Sequence, residues 1–214
     1  MRLVFASNNA HKLAEVRAIM PSEIEVLSLH DIGFEQEIEE TGLTLEENSA
    51  IKADAVYQWL NHQSPITNYQ SPITNYQSIS GVFADDTGLE IDALGGKPGV
   101  YTARWAGDSA ANRGKALREM KGKKDRSAQF RTVITLIMAN GERLTANGVV
   151  RGRIAEEEYG EGGFGYDPIF IPEGYDRTFG ELPEAVKNGI SHRARALQAL
   201  VKRLTTNDKL KIEE

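Results

Sequence analysis

Residues 81–107, GVFADDTGLEIDALGGKPGVYTARWAG, limit the fold more tightly than any other stretch of the chain. Val82, Phe83 and Ala84 form a short apolar run that reads as a buried strand. The run ends at two adjacent carboxylates, Asp85 and Asp86. Thr87-Gly88 and a glycine-rich loop, Gly95 to Gly99, follow. Acids at the carboxyl end of a buried strand lie where open α/β sheets bind their ligands. Neighbouring side chains on a strand point to opposite faces, so the two acids are expected to differ in role. Two readings stand at this point. In one, an aspartate holds a divalent cation or activates water. In the other, both cap a turn, because Asp before Gly is ordinary turn chemistry.

Composition narrows the function classes. The 214 residues suit one domain, or two lobes sharing a core, and carry 40% hydrophobic and 26% charged residues. The formal net charge of -6 argues against a general nucleic-acid binder. There is no cysteine, which removes disulfides and thiolate chemistry, and the four histidines are widely separated, which disfavours zinc. A metal would be bound by oxygen, hence magnesium or manganese. The N-terminus, MRLVFASNN, turns polar too soon for a signal peptide, and no apolar run is long enough for a membrane span. The expected protein is soluble and cytoplasmic.

Along the chain, Leu3–Ala6 reads as a strand running into Ser7-Asn8-Asn9-Ala10-His11-Lys12 and then a helix with Leu13, Val16, Ile19 and Met20 on one face. A polar turn opening a helix, with a lysine in the first turn, suits an anion. The plainer alternative is that Asn9 or Ser7 caps the helix and Lys12 is solvated. A second strand is expected at Ile24–Leu29, and an acidic segment covers 35–40. A helix follows at Leu45–Leu60, with Ile51, Ala55, Val56 and Trp59 as its buried face. Thr44 and Glu47 fit a capping box. Residues 63–76 repeat Gln-Ser-Pro-Ile-Thr-Asn-Tyr twice, with a third copy begun at Gln77-Ser78. This reads as a surface loop inserted by duplication over 63–78. Ser109–Met120 reads as a helix capped by Ser109. Ala128–Met138 and Arg143–Ile154 read as strands joined by Asn140-Gly141, a hairpin signal. Gly160–Pro172 reads as a glycine-rich binding loop with Phe164 and Tyr166 as stacking aromatics, or as a turn with two core aromatics. A short helix is expected near Pro183–Lys187. A final helix runs from Arg193 to Leu204 with Ser191 as its cap, and the polar tail 205–214 is expected to fray.

Taken together and in order, these pieces resemble one family, the noncanonical purine nucleoside triphosphate pyrophosphatases, also called inosine/xanthosine triphosphate pyrophosphatases. The resemblance rests on Ser7 to Lys12, Glu39-Glu40-Thr41-Gly42, Glu47-Asn48 with Lys52, Ala84 to Leu89, Gly95 to Arg104, Gly163 to Pro168 and Ser191-His192-Arg193. It implies one pyrophosphatase domain over 1–214, of α/β class: two lobes, a long mixed sheet flanked by helices, and a nucleotide cleft between the lobes. It also implies a homodimer, with no nucleic acid or membrane partner. By the same resemblance Glu40 and Asp86 hold Mg2+ (or Mn2+), and Asp86 is the catalytic base. Ser7, Asn8, Asn9, Ala10, His11, Lys12 and Lys52 contact the triphosphate. Thr87 is a substrate contact where Ser is common. Phe164, Gly165, Tyr166 and Asp167, with Lys187, His192 and Arg193, recognise the base. Asn8 stands where many relatives have Gly, and the duplicated loop is longer than the family pattern.

The implied reaction is hydrolysis of ITP, dITP or XTP to the monophosphate and pyrophosphate, by water attack at the α-phosphorus. Such a protein positions phosphates, neutralises charge and orients water. Asp85 remains an alternative to Asp86 as base. Two other functions stay open: a pyrophosphatase of other nucleotides, and a nucleotide-sensing module that binds without hydrolysis.

Overall fold

The computed structural model describes residues 1–62 and 79–212, with side chains described to residue 205. The duplicated loop at 63–78 and the last two residues of the expected frayed tail lie outside the described residues. In chain order the elements are β1 (Arg2–Phe5), α1 (Ala10–Ile19), β2 (Glu25–Leu27), α2 (Leu45–His62), β3 (Gly81–Ile91), β4 (Lys97–Gly99), α3 (Ser109–Glu119), β5 (Ser127–Met138), β6 (Arg143–Ile154), β7 (Phe170–Pro172), α4 (Glu184–Ile190) and α5 (His192–Ile212). The strands form one mixed sheet in the order β2-β1-β3-β5-β6-β7, with β4 added to β3. This is the α/β class expected from the sequence.

The chain divides into two compact units. The first holds Met1–Asp86, Val133–Ala146 and Leu197–Glu214, and the second holds Thr87–Thr132 and Asn147–Ala196. In the first, β1 pairs in parallel with both β2 and β3, with Leu3 opposite Val26 and Val4 opposite Val82. Leu3, Val4 and Phe5 are all fully buried, so both faces of β1 are covered, and such a strand needs the continuous apolar run they supply. One face packs with Leu27, Ile32, Ala53, Val56 and Ile137. Phe5 stacks on Phe83, with ring centroids 4.9 Å apart. In the second unit Leu89, Ile91, Met120, Phe130, Ile154 and Ile169 form a separate core. Phe170 joins Phe130 at 4.7 Å to Phe179 at 5.5 Å within it.

Four expectations change. The run Val82–Ala84 does not stop at Asp85-Asp86, because β3 carries the ladder through both acids to Ile91, where β4 pairs with it from Leu89 onward. The buried face of α2 is Leu45, Asn48, Ser49, Lys52, Ala53 and Val56, whereas Ile51, Ala55 and Trp59 are only half-buried. The helix is thus rotated to bring polar side chains inward. Asp108, not Ser109, caps α3, its carboxylate accepting from the amide of Ala111 at 2.8 Å. A carboxylate there also answers the positive end of the helix. The last helix continues past Leu204 to Ile212.

Close approach of α5 to β6 depends on one glycine. A Cβ at residue 148 would lie 2.0 Å from the carbonyl oxygen of His192 and 2.3 Å from the amide nitrogen of Ala196. Backbone atoms on both sides leave no flexible group to yield. Gly148→Ala is therefore expected to cost about 3 kcal/mol by overpacking. That lowers the melting temperature by roughly 5–10 °C for a chain of this size. An unchanged melting temperature in thermal denaturation would show that α5 shifts freely.

Candidate active site

In the first unit, the turn after β1 sets up the start of α1. The Asn9 side chain accepts from the Lys12 amide at 3.1 Å, and the Ser7 hydroxyl accepts from the Asn9 amide at 3.3 Å. Asn9 is thus the cap that the plainer reading assigned it. No described residue other than glycine has positive φ, so Asn8 fills its position without left-handed geometry. Ser7 and Lys12 are half-buried, and Asn8 to His11 are exposed.

Lys12 reaches from this helix to β3, its Nζ donating to Asp85 Oδ1 at 2.9 Å. Lys52 reaches from the buried face of α2. Its Nζ donates to Glu40 Oε1 at 2.7 Å and to Asp86 Oδ1 at 3.3 Å. Two carboxylates far apart in sequence therefore converge on one cationic point. Asp85 and Asp86, neighbours in β3, engage different lysines, as strand alternation requires.

Two residues to which the sequence assigns no role, Asn48 and Ser49, hold this arrangement. Fully buried Asn48 accepts from the Gly42 amide at 2.8 Å and donates to Asp86 Oδ2 at 3.4 Å, tying the Glu40 segment to β3. Ser49 Oγ donates to the Ala84 carbonyl at 3.0 Å and lies 3.0 Å from Thr135 Oγ1. The signal was present in the sequence: Asn48, Ser49 and Lys52 fall at helical spacing with Leu45 and Val56. Glu47 closes the expected capping box, accepting from the Thr44 amide while Thr44 Oγ1 accepts from its own.

Asp85, Asp86 and Glu40 supply three negative charges against two positive ones from Lys12 and Lys52. Asp85 is 1% and Asp86 7% exposed, so water offsets little of the imbalance. Burial pushes the Asp86 carboxyl up from its ordinary value. Glu40 and Asp85 add to this, and Lys52 and Lys12 oppose it. Burial alone would push Lys52 down, but Asp86, Asp85 and Glu40 together hold its ammonium above the usual range. The Lys52 direction shows the carboxylates holding positive charge, whereas the Asp86 direction comes first from burial. Hard oxygen donors in such a set fit Mg2+ or Mn2+, which takes one or two carboxylates and completes its shell with water and phosphate. No group of three or more histidine, cysteine or acidic residues placed to hold a metal occurs among the described residues.

In the second unit, Thr87, Phe164, Asp167, Lys187, His192 and Arg193 come together. Lys187 Nζ donates to Asp167 Oδ2 at 2.6 Å, and the same oxygen accepts from the Phe164 amide at 2.7 Å. This fixes the Phe164 ring, which carries Lys187 Nζ at 4.6 Å and the Arg193 guanidinium at 5.7 Å over its face. Arg193 Nη2 donates to Thr87 Oγ1 at 3.4 Å. The Gly165 carbonyl accepts from Arg113 at 3.0 Å. Tyr166 differs from the expectation of a stacking aromatic. Its ring belongs to the apolar core and its hydroxyl donates to the Thr102 carbonyl at 3.0 Å, with burial raising the phenol well above its ordinary range. Thr132, which the sequence reading passed over, lies 2.8 Å from Thr87 Oγ1 and 2.7 Å from His192 Nδ1.

A family profile described as Ham1 family matches residues 3–203. A dITP/XTP pyrophosphatase of Flavobacterium johnsoniae is 45% identical, covering 96% of this chain and 98% of the relative. One from Bacillus subtilis is 46% identical, covering 94% and 96%. The solved Ham1 protein of Staphylococcus aureus superposes with a TM-score of 0.79 at 37% identity, covering 97% of this chain and all of that one.

The raised Asp86 carboxyl has a consequence for stability. A carboxyl whose folded value is raised contributes in full below its unfolded value, near pH 4, and loses that contribution as pH rises through the folded value. Ionised Asp86 is thus a liability at neutral pH in metal-free buffer. Asp86→Asn should melt at a higher temperature than wild type at pH 7, and the gap should close at acid pH. A variant that melts lower at neutral pH would reverse the sign of the charge argument.

Proposed function

This chain belongs to the Ham1 family, and from that premise we propose that it hydrolyses noncanonical purine nucleoside triphosphates, ITP, dITP and XTP, to the monophosphate and pyrophosphate. The observation that carries the reading is the convergence of Glu40 and Asp86 on one cationic point, beside Lys12 and Lys52. Water adds to the α-phosphorus, the bond from that phosphorus to the bridging oxygen breaks, and pyrophosphate leaves with the bonding electrons.

Glu40 and Asp86 would hold Mg2+, or Mn2+ in its place; bound there, the ion supplies charge neutralisation and acidifies water. The protein's own groups do the rest. Lys12 and Lys52 hold the phosphates as point charges, and the amides at the start of α1 add donors. Asp86 accepts the proton from the attacking water. Burial makes its carboxyl bind that proton more tightly than an exposed aspartate, which suits a general base. Asp85 is almost fully enclosed and engaged by Lys12, which favours Asp86 for this role.

Base choice falls to the second group. Inosine and xanthine carry a keto oxygen at position 6, an acceptor, where adenine carries an amino donor. Arg193 and His192 can donate to the oxygen, while a buried donor facing the amino group costs about 1–3 kcal/mol. Phe164, held by Asp167 and flanked by two cations, offers a face on which a purine stacks.

A nucleotide sensor that binds without turnover would gain nothing from a paired acid site, and the intact Glu40–Asp86 pair favours hydrolysis. A homodimer and a cytoplasmic location complete the proposal. No described helix is long and apolar enough to cross a membrane.

A panel of nucleotides scored for pyrophosphate release tests the reading. ITP, dITP and XTP should turn over with magnesium and stall on chelation, with ATP slower by about 10- to 100-fold in kcat/KM. Asp86→Asn should lower kcat by about 10²- to 10⁴-fold while keeping the circular dichroism spectrum of wild type. Equal turnover of ATP and ITP would refute the base assignment. Near-normal activity of the variant would move the base elsewhere.

A further inference from the structure

We propose that Thr132 is a positioning residue that fixes which ring nitrogen of His192 carries the proton, making Nε2 the donor used in base selection. The inference deepens the proposed function and rests on its assignment of His192 to the base. Four side chains form a continuous hydrogen-bonded line. Arg193 Nη2 lies 3.4 Å from Thr87 Oγ1, Thr87 Oγ1 lies 2.8 Å from Thr132 Oγ1, and Thr132 Oγ1 lies 2.7 Å from His192 Nδ1. Thr132 is fully buried in β5 and His192 is 4% exposed, so the line is shielded from bulk water.

A guanidinium only donates, and each hydroxyl has one hydrogen to give, so Arg193 donates to Thr87. Across the 2.8 Å Thr87–Thr132 contact either hydroxyl can donate. In the proposed order Thr87 gives its hydrogen to Thr132, and Thr132 gives its hydrogen to Nδ1. Nδ1 is then an acceptor, and the neutral imidazole carries its proton on Nε2. The ring cannot readily turn to exchange its nitrogens. Phe130 packs against it at 4.8 Å, and the His192 backbone is pressed against Gly148 of β6. A donor at Nε2 matches a keto oxygen at position 6 and opposes an amino group, so a hydroxyl remote from the base decides which purine is accepted. Sequence alone gives little hint of this, since Thr132 reads only as one of several β-branched residues in a strand.

The proposal is tested by nitrogen-15 NMR of His192 together with the ITP-to-ATP ratio of kcat/KM. Above about pH 8, where an ordinary imidazole is neutral, wild type should show a protonated Nε2 and an unprotonated Nδ1. Thr132→Val keeps the branched shape and removes the hydroxyl. It should give a mixture of tautomers and lower the selectivity ratio by about tenfold. Thr132→Ser restores the hydroxyl and should return both readouts to within about twofold of wild type. A wild-type spectrum with the proton on Nδ1 overturns the proposal, and needs no variant to fold. Selectivity retained in Thr132→Val despite a changed tautomer overturns it while leaving the base assignment standing. A wild type that does not discriminate between ITP and ATP overturns both.

Discussion

One lysine ammonium caught between two carboxylates is the constraint on which the rest depends. Lys52 is bonded to Glu40 and to Asp86, and Lys12 is bonded to Asp85 close by. Burying three of these five charges outright and the other two in part is costly, and more so with one negative charge in excess. A fold keeps such a set only where surrounding structure over-determines it. Here the fixing groups are identifiable. Asn48 ties the Glu40 segment to Asp86, Ser49 fastens α2 to the backbone of β3, and β1 and β3 pair in register beneath them. The excess charge is what a hard cation and a polyphosphate together would satisfy. Under the proposed function, the arrangement gives up stability of the protein alone for affinity toward those ligands.

The second group follows a different logic. Lys187 and Asp167 neutralise each other and are almost entirely enclosed. Their task is geometric, since Asp167 also holds the Phe164 amide and so the ring. Thr87, Thr132 and His192 are likewise joined by hydrogen bonds rather than by opposed charges. The first group handles charge, and the second handles shape and hydrogen-bond direction. Asp86 and Thr87, consecutive in β3, belong one to each group.

Much of this was legible in the sequence, for physical reasons. The apolar runs of β1 and β3, the Asn140-Gly141 hairpin and the Thr44–Glu47 capping box are local signals, and local interactions produce them. Glu40, Lys52 and Asp86 could be named together only through resemblance to a family, because residues brought together by folding carry no mutual mark in sequence. The apolar period misplaced the buried face of α2. Ile51 and Trp59 drew the eye, while the true face spends three positions on Asn48, Ser49 and Lys52. For Tyr166, set among glycines, the sequence leaves stacking and core readings both open, and its ring completes the core beside Ile169 and Phe170. Such departures from simple patterning concentrate where function is placed.

The most direct measurement is calorimetric titration of Mn2+ into wild type, Glu40→Gln, Asp86→Asn and the double variant. The account predicts one site per chain in wild type. It also predicts a comparable loss of affinity in each single variant, with little further loss in the double, because two ligands of one ion act as a unit. Undiminished binding in either single variant, or fully additive losses, would contradict a shared ion between Glu40 and Asp86.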